Sequence, residues 1–378
     1  MTSKARMLVA IKGGIPDCVP VTPDISNMIP CRLTGRPFWD IYLHGRPTLF
    51  EAYLEAVKYF GFDGWFMYSG LDFKTNSRVA WDHEILSQTN DRIVRQNICH
   101  TPDGDLVSES TYYRADSPTV SKKPVEDIEA DFAKVRHLFP VPTGYDAARF
   151  HDDNKLIGDL GINCLTVGLP GFACWIELFR GSVEAMTYAH YDHPDLMDEL
   201  RDLHHRQIVK QTEMILDEKP DVFFVGASGS ITLQSPELFR HYSLPTMKAV
   251  TRMAKEAGVP SMMHSCGKAY DLCKMAVEET DLDCLNPLEM PPMGDCELGQ
   301  VKKEFGSRLC LMGNLHTTQL MLLGKPEDVE AAVLQALEDA KAGGGFILST
   351  GDQCGRDTPD ENIFTMVRVA REYGRYDA

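Results

Sequence analysis

Short apolar runs alternate with amphipathic segments along almost the whole chain, and this alternation leaves few architectures open. Strand-like runs lie at 18–25, 64–68, 163–167, 222–227, 259–264, 283–288, 309–315 and 346–349. Helical periodicity fills most of the intervals, at 4–12, 48–60, 125–138, 194–216, 235–258, 268–279, 297–305 and 325–342, and again from 358. Some helix starts are explicit. Ser235-Pro236-Glu237 places a hydroxyl cap, a proline at the first helical position and an acid in the first turn, and Thr358-Pro359-Asp360-Glu361 reads as a capping box. Strands that alternate with helices imply a parallel sheet, and about eight such cycles predict an α/β fold of the (β/α)8 TIM-barrel type. Residues 91–125 break the rhythm. Ile93, Val94 and Ile98, the turn Pro102-Asp103-Gly104 and then Thr111-Tyr112-Tyr113 predict an inserted β-hairpin in the N-terminal part. With no linker or low-complexity tract in view, residues 1–378 are expected to form one barrel domain carrying that insertion.

Charge and cysteine usage narrow the function classes. A formal net charge of −17 argues against a nucleic acid or an anionic membrane as partner. The 11 cysteines are odd in number, scattered and often set in apolar runs, as at Cys164, Cys284 and Cys310. That is the pattern of reduced thiols rather than of a disulfide framework. The N-terminal run has no cleavage site of signal type, and no apolar stretch approaches a membrane span. A cytoplasmic location is the expectation.

In a barrel the chemistry sits at the C-terminal ends of the strands, so residues there carry the functional reading. The run 259–264 ends in His264-Ser265-Cys266-Gly267. Residues two apart on an extended backbone share a face, which presents an imidazole beside a thiol. Cys354, just past the last strand-like run, is the candidate third ligand. Three ligands of the Cys₂His type leave one position of tetrahedral zinc open, which suits a catalytic site. The plainer alternative is that all three are ordinary buried residues. Glu289 and His316 also follow strands on this rim, Glu289 as an outer partner, a displaceable fourth ligand or a merely structural residue, and His316 as a substrate-orienting group. Asp24 and Asn27 on the first loop, and Trp175 with Phe172 on a glycine-rich loop, are candidate substrate contacts, simple loop packing being the alternative for the aromatics. His204 and His205 lie in a charge-rich helix and are expected on a solvated face, whereas Cys273 should pack inward.

Five segments occur in one order: Ser235-Pro-Glu-Leu-Phe239, His264-Ser-Cys-Gly267, Leu311-Met-Gly-Asn-Leu315, Gly343-Gly-Gly-Phe-Ile-Leu348 and Thr358-Pro-Asp-Glu-Asn362. Together they resemble the uroporphyrinogen decarboxylase superfamily, and within it the zinc-containing, corrinoid-dependent methyltransferases. The resemblance implies a barrel with zinc held at its C-terminal mouth by His264, Cys266 and Cys354. It also implies methyl transfer between a small methyl donor or acceptor and the cobalt of a corrinoid (methylcobalamin or Co(I)). Demethylation of a methoxylated aromatic is the favoured direction, on the strength of the insertion and the aromatic loop. Transfer from a methylcobamide to a thiol of the coenzyme M type is the alternative. A metal-free decarboxylase ranks lower, since only Arg32 and Arg36 echo that branch's basic N-terminal segment, and a non-catalytic binding protein ranks lower too. No Asp-x-His-x-x-Gly corrinoid signature occurs in the chain, so the corrinoid is expected on a separate protein partner. The oligomeric state is open, a homodimer being one option.

Overall fold

A computed structural model describes residues 1–376. In chain order, β1 (Gly64–Phe66) precedes a ribbon strand β2 (Asp72–Lys74) and then four exposed strands, β3 (Ala80–Gln88), β4 (Arg92–Thr101), β5 (Gly104–Tyr113) and β6 (Thr119–Lys122). The strand β7 (Gly144–Asp146) pairs antiparallel with β2. Next come β8 (Gly161–Val167), β9 (Val222–Gly226), β10 (Ser261–His264), β11 (Cys284–Asn286), β12 (Cys310–Leu315) and β13 (Phe346–Thr350). The parallel sheet has the order β1-β8-β9-β10-β11-β12-β13. Helices on the outside bury one face of these strands, so β9, β12 and β13 read as nearly continuous apolar runs.

The gap between β13 and β1 is filled by the extended segment at 18–24, which bridges to Leu348 at Val21. Thr22 N–H donates to Leu348 O and Leu348 N–H to Pro20 O, both at 2.9 Å. Pro20 and Pro23 carry no N–H, so this eighth stave cannot form a continuous ladder. On the β1 side a side chain completes the pairing. Asp63 N–H donates to Val21 O at 2.9 Å, and the Asp63 carboxylate accepts from Val21 N–H at 2.9 Å. That carboxylate is fully buried and is held by Arg6 at 2.8 Å and Arg371 at 2.9 Å. The (β/α)8 barrel is therefore present, with one irregular stave where a regular strand is expected.

The barrel interior is packed with Trp65, Cys164, Val222, Phe224, Met262 and Met312 among others, and the N-terminal helix Ser3–Ile11 plugs its lower end with Met7 and Ile11. Cys164, Cys284 and Cys310 belong to this interior layer, and all 11 cysteines are free.

Two sequence expectations need correction. The insertion is a four-stranded antiparallel sheet over 80–122 instead of a hairpin over 91–125. The hairpin β4–β5 with its turn after Thr101 is present within it. Its partner β3 is exposed at every position, so no buried alternation marks it in the sequence. The helix expected over 235–258 is two helices, Pro236–Tyr242 and Leu244–Ala257. Pro245 lacks the N–H that would continue the first helix. The insertion sits on its own apolar cluster, where Cys99 and Leu106 meet Ile128, Phe132, Trp175 and Tyr242.

Candidate metal centre

The strand β10 delivers His264 at its last position, and Cys266 follows two residues on. Beside it, β11 ends at Asn286, the register partner of His264. His264 Nδ1 lies 2.6 Å from Asn286 Oδ1, which can only accept, so the ring proton sits on Nδ1. The lone pair of Nε2 is thereby turned to the mouth of the barrel. An outer partner that fixes the tautomer in this way is the usual support of a metal-ligating histidine.

Nε2 stands 3.7 Å from Asp352 Oδ1, and the His264 side chain is 13% exposed. His264, Cys266 and Asp352 each place a donor atom within 4.8 Å of the other two. This imidazole, thiol and carboxylate set fits a zinc-like cation, which takes nitrogen, sulfur and oxygen ligands at such spacing. Cys266 Sγ is pushed up to about 11 by burial, with the Asp352 and Glu289 carboxylates adding to the effect. Cys354 is fully buried and is pushed up to about 12 by burial, helped by Asp24 and opposed by a hydrogen bond to Thr350. Its amide donates to Asp24 O at 2.8 Å. The structure thus brings Cys354 to the same corner, but its sulfur is not a member of the His264, Cys266 and Asp352 cluster.

Asp24 is buried at the first strand end, and burial raises its carboxyl, opposed by His264 and reinforced by Asp352. Its Oδ1 accepts from Ser26 N–H at 3.0 Å. Glu289 is buried as well, accepts a hydrogen bond from Gly267 N–H, and is raised by burial and by Asp352. Gly267 has φ +80°, and a Cβ there would lie 2.1 Å from Thr232 Oγ1, so the turn that carries Cys266 past the strand needs glycine. Asn27 lies beside the insertion, with Ser117 Oγ 3.4 Å from its Oδ1. His316 follows β12, and its Nδ1 accepts from the amides of Thr318 and Gln319 at 3.2 Å each. Its Nε2 is buried with no partner among the described residues, in a narrow space shared with Glu289, Asn314 and Gly351.

Trp175 is elsewhere. It is fully buried beneath the insertion, and its indole N–H donates to His204 Nδ1 at 3.2 Å. The helix Pro194–Asp217 turns His204 inward onto that cluster, where burial lowers its imidazole to about 4, so the expectation of a solvated face is overturned. Cys273 is buried, as expected. Arg32 is paired with Asp360.

Above the cluster lies a cavity of about 320 Å³ lined by Asp24, Met67, Phe224, Ser228, His264 and Asp352, among others. Among the described residues no lysine or arginine lines it. Asp352, Asn286, Met67 and Phe224 are the site residues that strand-end reasoning leaves out. Asp352 carries a readable signal, because it lies two residues before Cys354 on the same loop.

Fold and geometry together define an α/β barrel whose C-terminal mouth gathers an imidazole, a thiol and a carboxylate. The profile of the family described as uroporphyrinogen decarboxylase (URO-D) matches residues 180–373. The chain belongs to that family. A methylated-thiol–coenzyme M methyltransferase of Methanosarcina mazei is 28% identical over 158 residues, covering 41% of this chain and 39% of that protein. A methylcobamide:CoM methyltransferase of the same organism is 27% identical over 180 residues, covering 48% and 49%. The matches therefore span less than half of either relative. A uroporphyrinogen decarboxylase of Ralstonia nicotianae is 24% identical over 258 residues, covering 65% and 66%. The solved structure of a methyltransferase from Methanosarcina mazei superposes over 99% of both chains with a TM-score of 0.65 at 19% identity, a likeness of fold. Among the described residues no helix is long and apolar enough to cross a membrane.

Proposed function

We propose that this protein is a zinc-dependent methyltransferase that moves a methyl group between a small substrate and the cobalt of a corrinoid carried by a separate protein. The observation that carries the reading is the convergence of His264, Cys266 and Asp352 donors at the mouth, with Asn286 fixing the imidazole. Cys354 on the adjacent loop supplies the further thiolate. The relatives named as methyltransferases support the reaction class. Bound at these residues, zinc would supply Lewis-acid assistance to the departing heteroatom of the methyl donor.

The residues of the chain do the rest. Phe224 and Met67 offer an apolar wall to the substrate. Asp24, whose carboxyl is raised by burial, also lines this cavity and can hand a proton to a departing oxygen.

A methoxylated aromatic is the favoured donor. The support from the Gly168–Trp175 loop falls away, because Trp175 lies under the insertion, and the argument now rests on charge. Coenzyme M bears a sulfonate, and among the described residues no lysine or arginine lines the cavity to pair with that anion. A neutral methyl ether needs no such partner. The thiol direction is the second reading, favoured by the activities for which the two methyltransferase relatives are named.

The test is spectroscopic. The full chain is mixed with a Co(I) corrinoid and a panel of methoxyarenes, and separately with methylcobalamin and coenzyme M. Loss of the Co(I) bands with a methoxyarene supports the favoured donor, and thiol-dependent loss of methylcobalamin supports the second reading. Release of CO₂ from uroporphyrinogen by metal-stripped protein would refute both.

A further inference from the structure

Carboxylates outnumber cations in this chain, 55 acidic residues to 38 lysines and arginines. Of the arginines that are not exposed, Arg6, Arg32, Arg201, Arg356 and Arg371 each meet a carboxylate at 2.9 Å or less. Arg95 on β4 does not. Among the described residues its guanidinium has neither a carboxylate nor a hydrogen-bond acceptor, and its Nε is buried without a partner. Its one close companion is the Tyr112 ring, whose centroid lies 5.1 Å from Cζ and leaves the N–H edge free.

The register of the inserted sheet sets further donors around it. Residues directly opposite one another in an antiparallel sheet share a face. Ile85, Arg95 and Ser110 form one such row, and His83, Asn97 and Ser108 form the next. The row beyond holds Trp81, Cys99 and Leu106. Cys99 and Leu106 pack onto the helices of the barrel, so this is the barrel-facing side of the sheet. Asn97, 7% exposed, organises it. Its Oδ1 accepts from His83 Nδ1 at 3.1 Å, and its Nδ2 donates to Ser110 Oγ at 3.1 Å and to Ser108 Oγ at 3.5 Å. A hydroxyl oxygen that accepts in this way still has its own proton to give. Neither serine proton finds an acceptor among the described residues. One face therefore carries a guanidinium and two hydroxyls at adjoining positions, all of them donors. Beside them, Ile85 and Trp81 on the edge strand β3 are 48% and 54% exposed and give the same face an open apolar border.

We propose that this face of the insertion binds a small carboxylate with a planar apolar body. The carboxylate takes the Arg95 fork and the two serine protons, and the body lies against Ile85 and Trp81. Inorganic phosphate would satisfy the donors and leave the apolar border idle. The site depends neither on the metal centre nor on the proposed methyl transfer.

Calorimetric titration of the full chain with benzoate tests the proposal, with acetate and inorganic phosphate as comparison anions at matched ionic strength. The wild type is expected to bind one benzoate per chain saturably, and acetate and phosphate at least about tenfold more weakly, for want of a buried ring. Arg95→Met keeps a stem over Tyr112 and removes the charge. A second variant, Ser108→Ala with Ser110→Ala, removes both hydroxyls and serves even if the first fails to fold. Each is expected to lose about 10- to 100-fold in benzoate affinity, the usual worth of hydrogen bonds to a charged group. Absence of saturable benzoate binding to the wild type would overturn the proposal. So would an affinity that either folded variant leaves unchanged, or phosphate or acetate binding as tightly as benzoate.

Discussion

Acidification should weaken this protein through His204 in a way that can be isolated. The imidazole is buried beneath the insertion, accepts the Trp175 indole N–H and lies with its centroid 4.8 Å from that of the Phe139 ring. Burial lowers it from an ordinary 6.5 to about 4. The unfolded chain therefore takes up the proton first as pH falls. The stabilising contribution is fully present above pH 6.5, is lost progressively below it, and is gone once pH passes below about 4. Linkage between those values removes about 2 kcal/mol between pH 7 and pH 5, and about 3 kcal/mol by pH 4. His204→Gln keeps an acceptor for the indole but cannot titrate. Urea unfolding of both proteins at pH 7 and pH 5 should show the wild type losing about 2 kcal/mol more than the variant, roughly a 30-fold change in the unfolding equilibrium. A proton NMR titration of His204 should find its midpoint near 4. A midpoint near 6.5, or equal pH dependence in the two proteins, would refute the reasoning.

Two further outcomes follow from the site. Asn286→Leu keeps the branched outline and the number of side-chain heavy atoms but removes the acceptor for His264 Nδ1, and it also deletes a buried Nδ2 that has no partner among the described residues. Zinc affinity, measured by chelator competition, should fall about 10–100-fold with the circular dichroism unchanged, and undiminished affinity would show that Asn286 does not orient the ligand. Gly267→Ala sets a Cβ at φ +80° and 2.1 Å from Thr232 Oγ1. It should destabilise the fold by at least about 1 kcal/mol in thermal unfolding, and a melting temperature equal to the wild type would mean the turn relaxes freely.

Much of the barrel is legible in the chain because parallel strands buried on both faces leave compact apolar words such as Val222-Phe-Phe-Val225. β3 is not, since a fully exposed strand has no hydrophobic period to read. At 235–258 the helical period is strong enough to mask Pro245, a local signal that does break the helix. In the site, His264 and Cys266 are readable because residue spacing on a strand determines which face they share. Asn286 and Phe224 are not, because their places depend on inter-strand register. Trp175 and His204 mislead for one shared reason. An aromatic on a glycine-rich loop and a histidine in a charged helix look open until the insertion, and the helices that support it, cover them both.

The electrostatics of the mouth disfavour a bare cysteine as the chemical agent. With Cys266 near 11, roughly one thiol in ten thousand is ionised at pH 7, so the unassisted side chain is a poor nucleophile. Cys354, near 12, is poorer still. Asp24 and Glu289 are likewise pushed toward their protonated forms by burial, and the nearby Asp352 charge raises both further. Each of these shifts opposes negative charge, and each would be reversed by a single divalent cation placed among them. A corner that gathers two thiols and three carboxylates with no lysine or arginine in the cavity lining is poorly balanced for metal-free anion chemistry. It is well balanced for a cation whose ligands ionise as it binds, so metal affinity should rise steeply with pH.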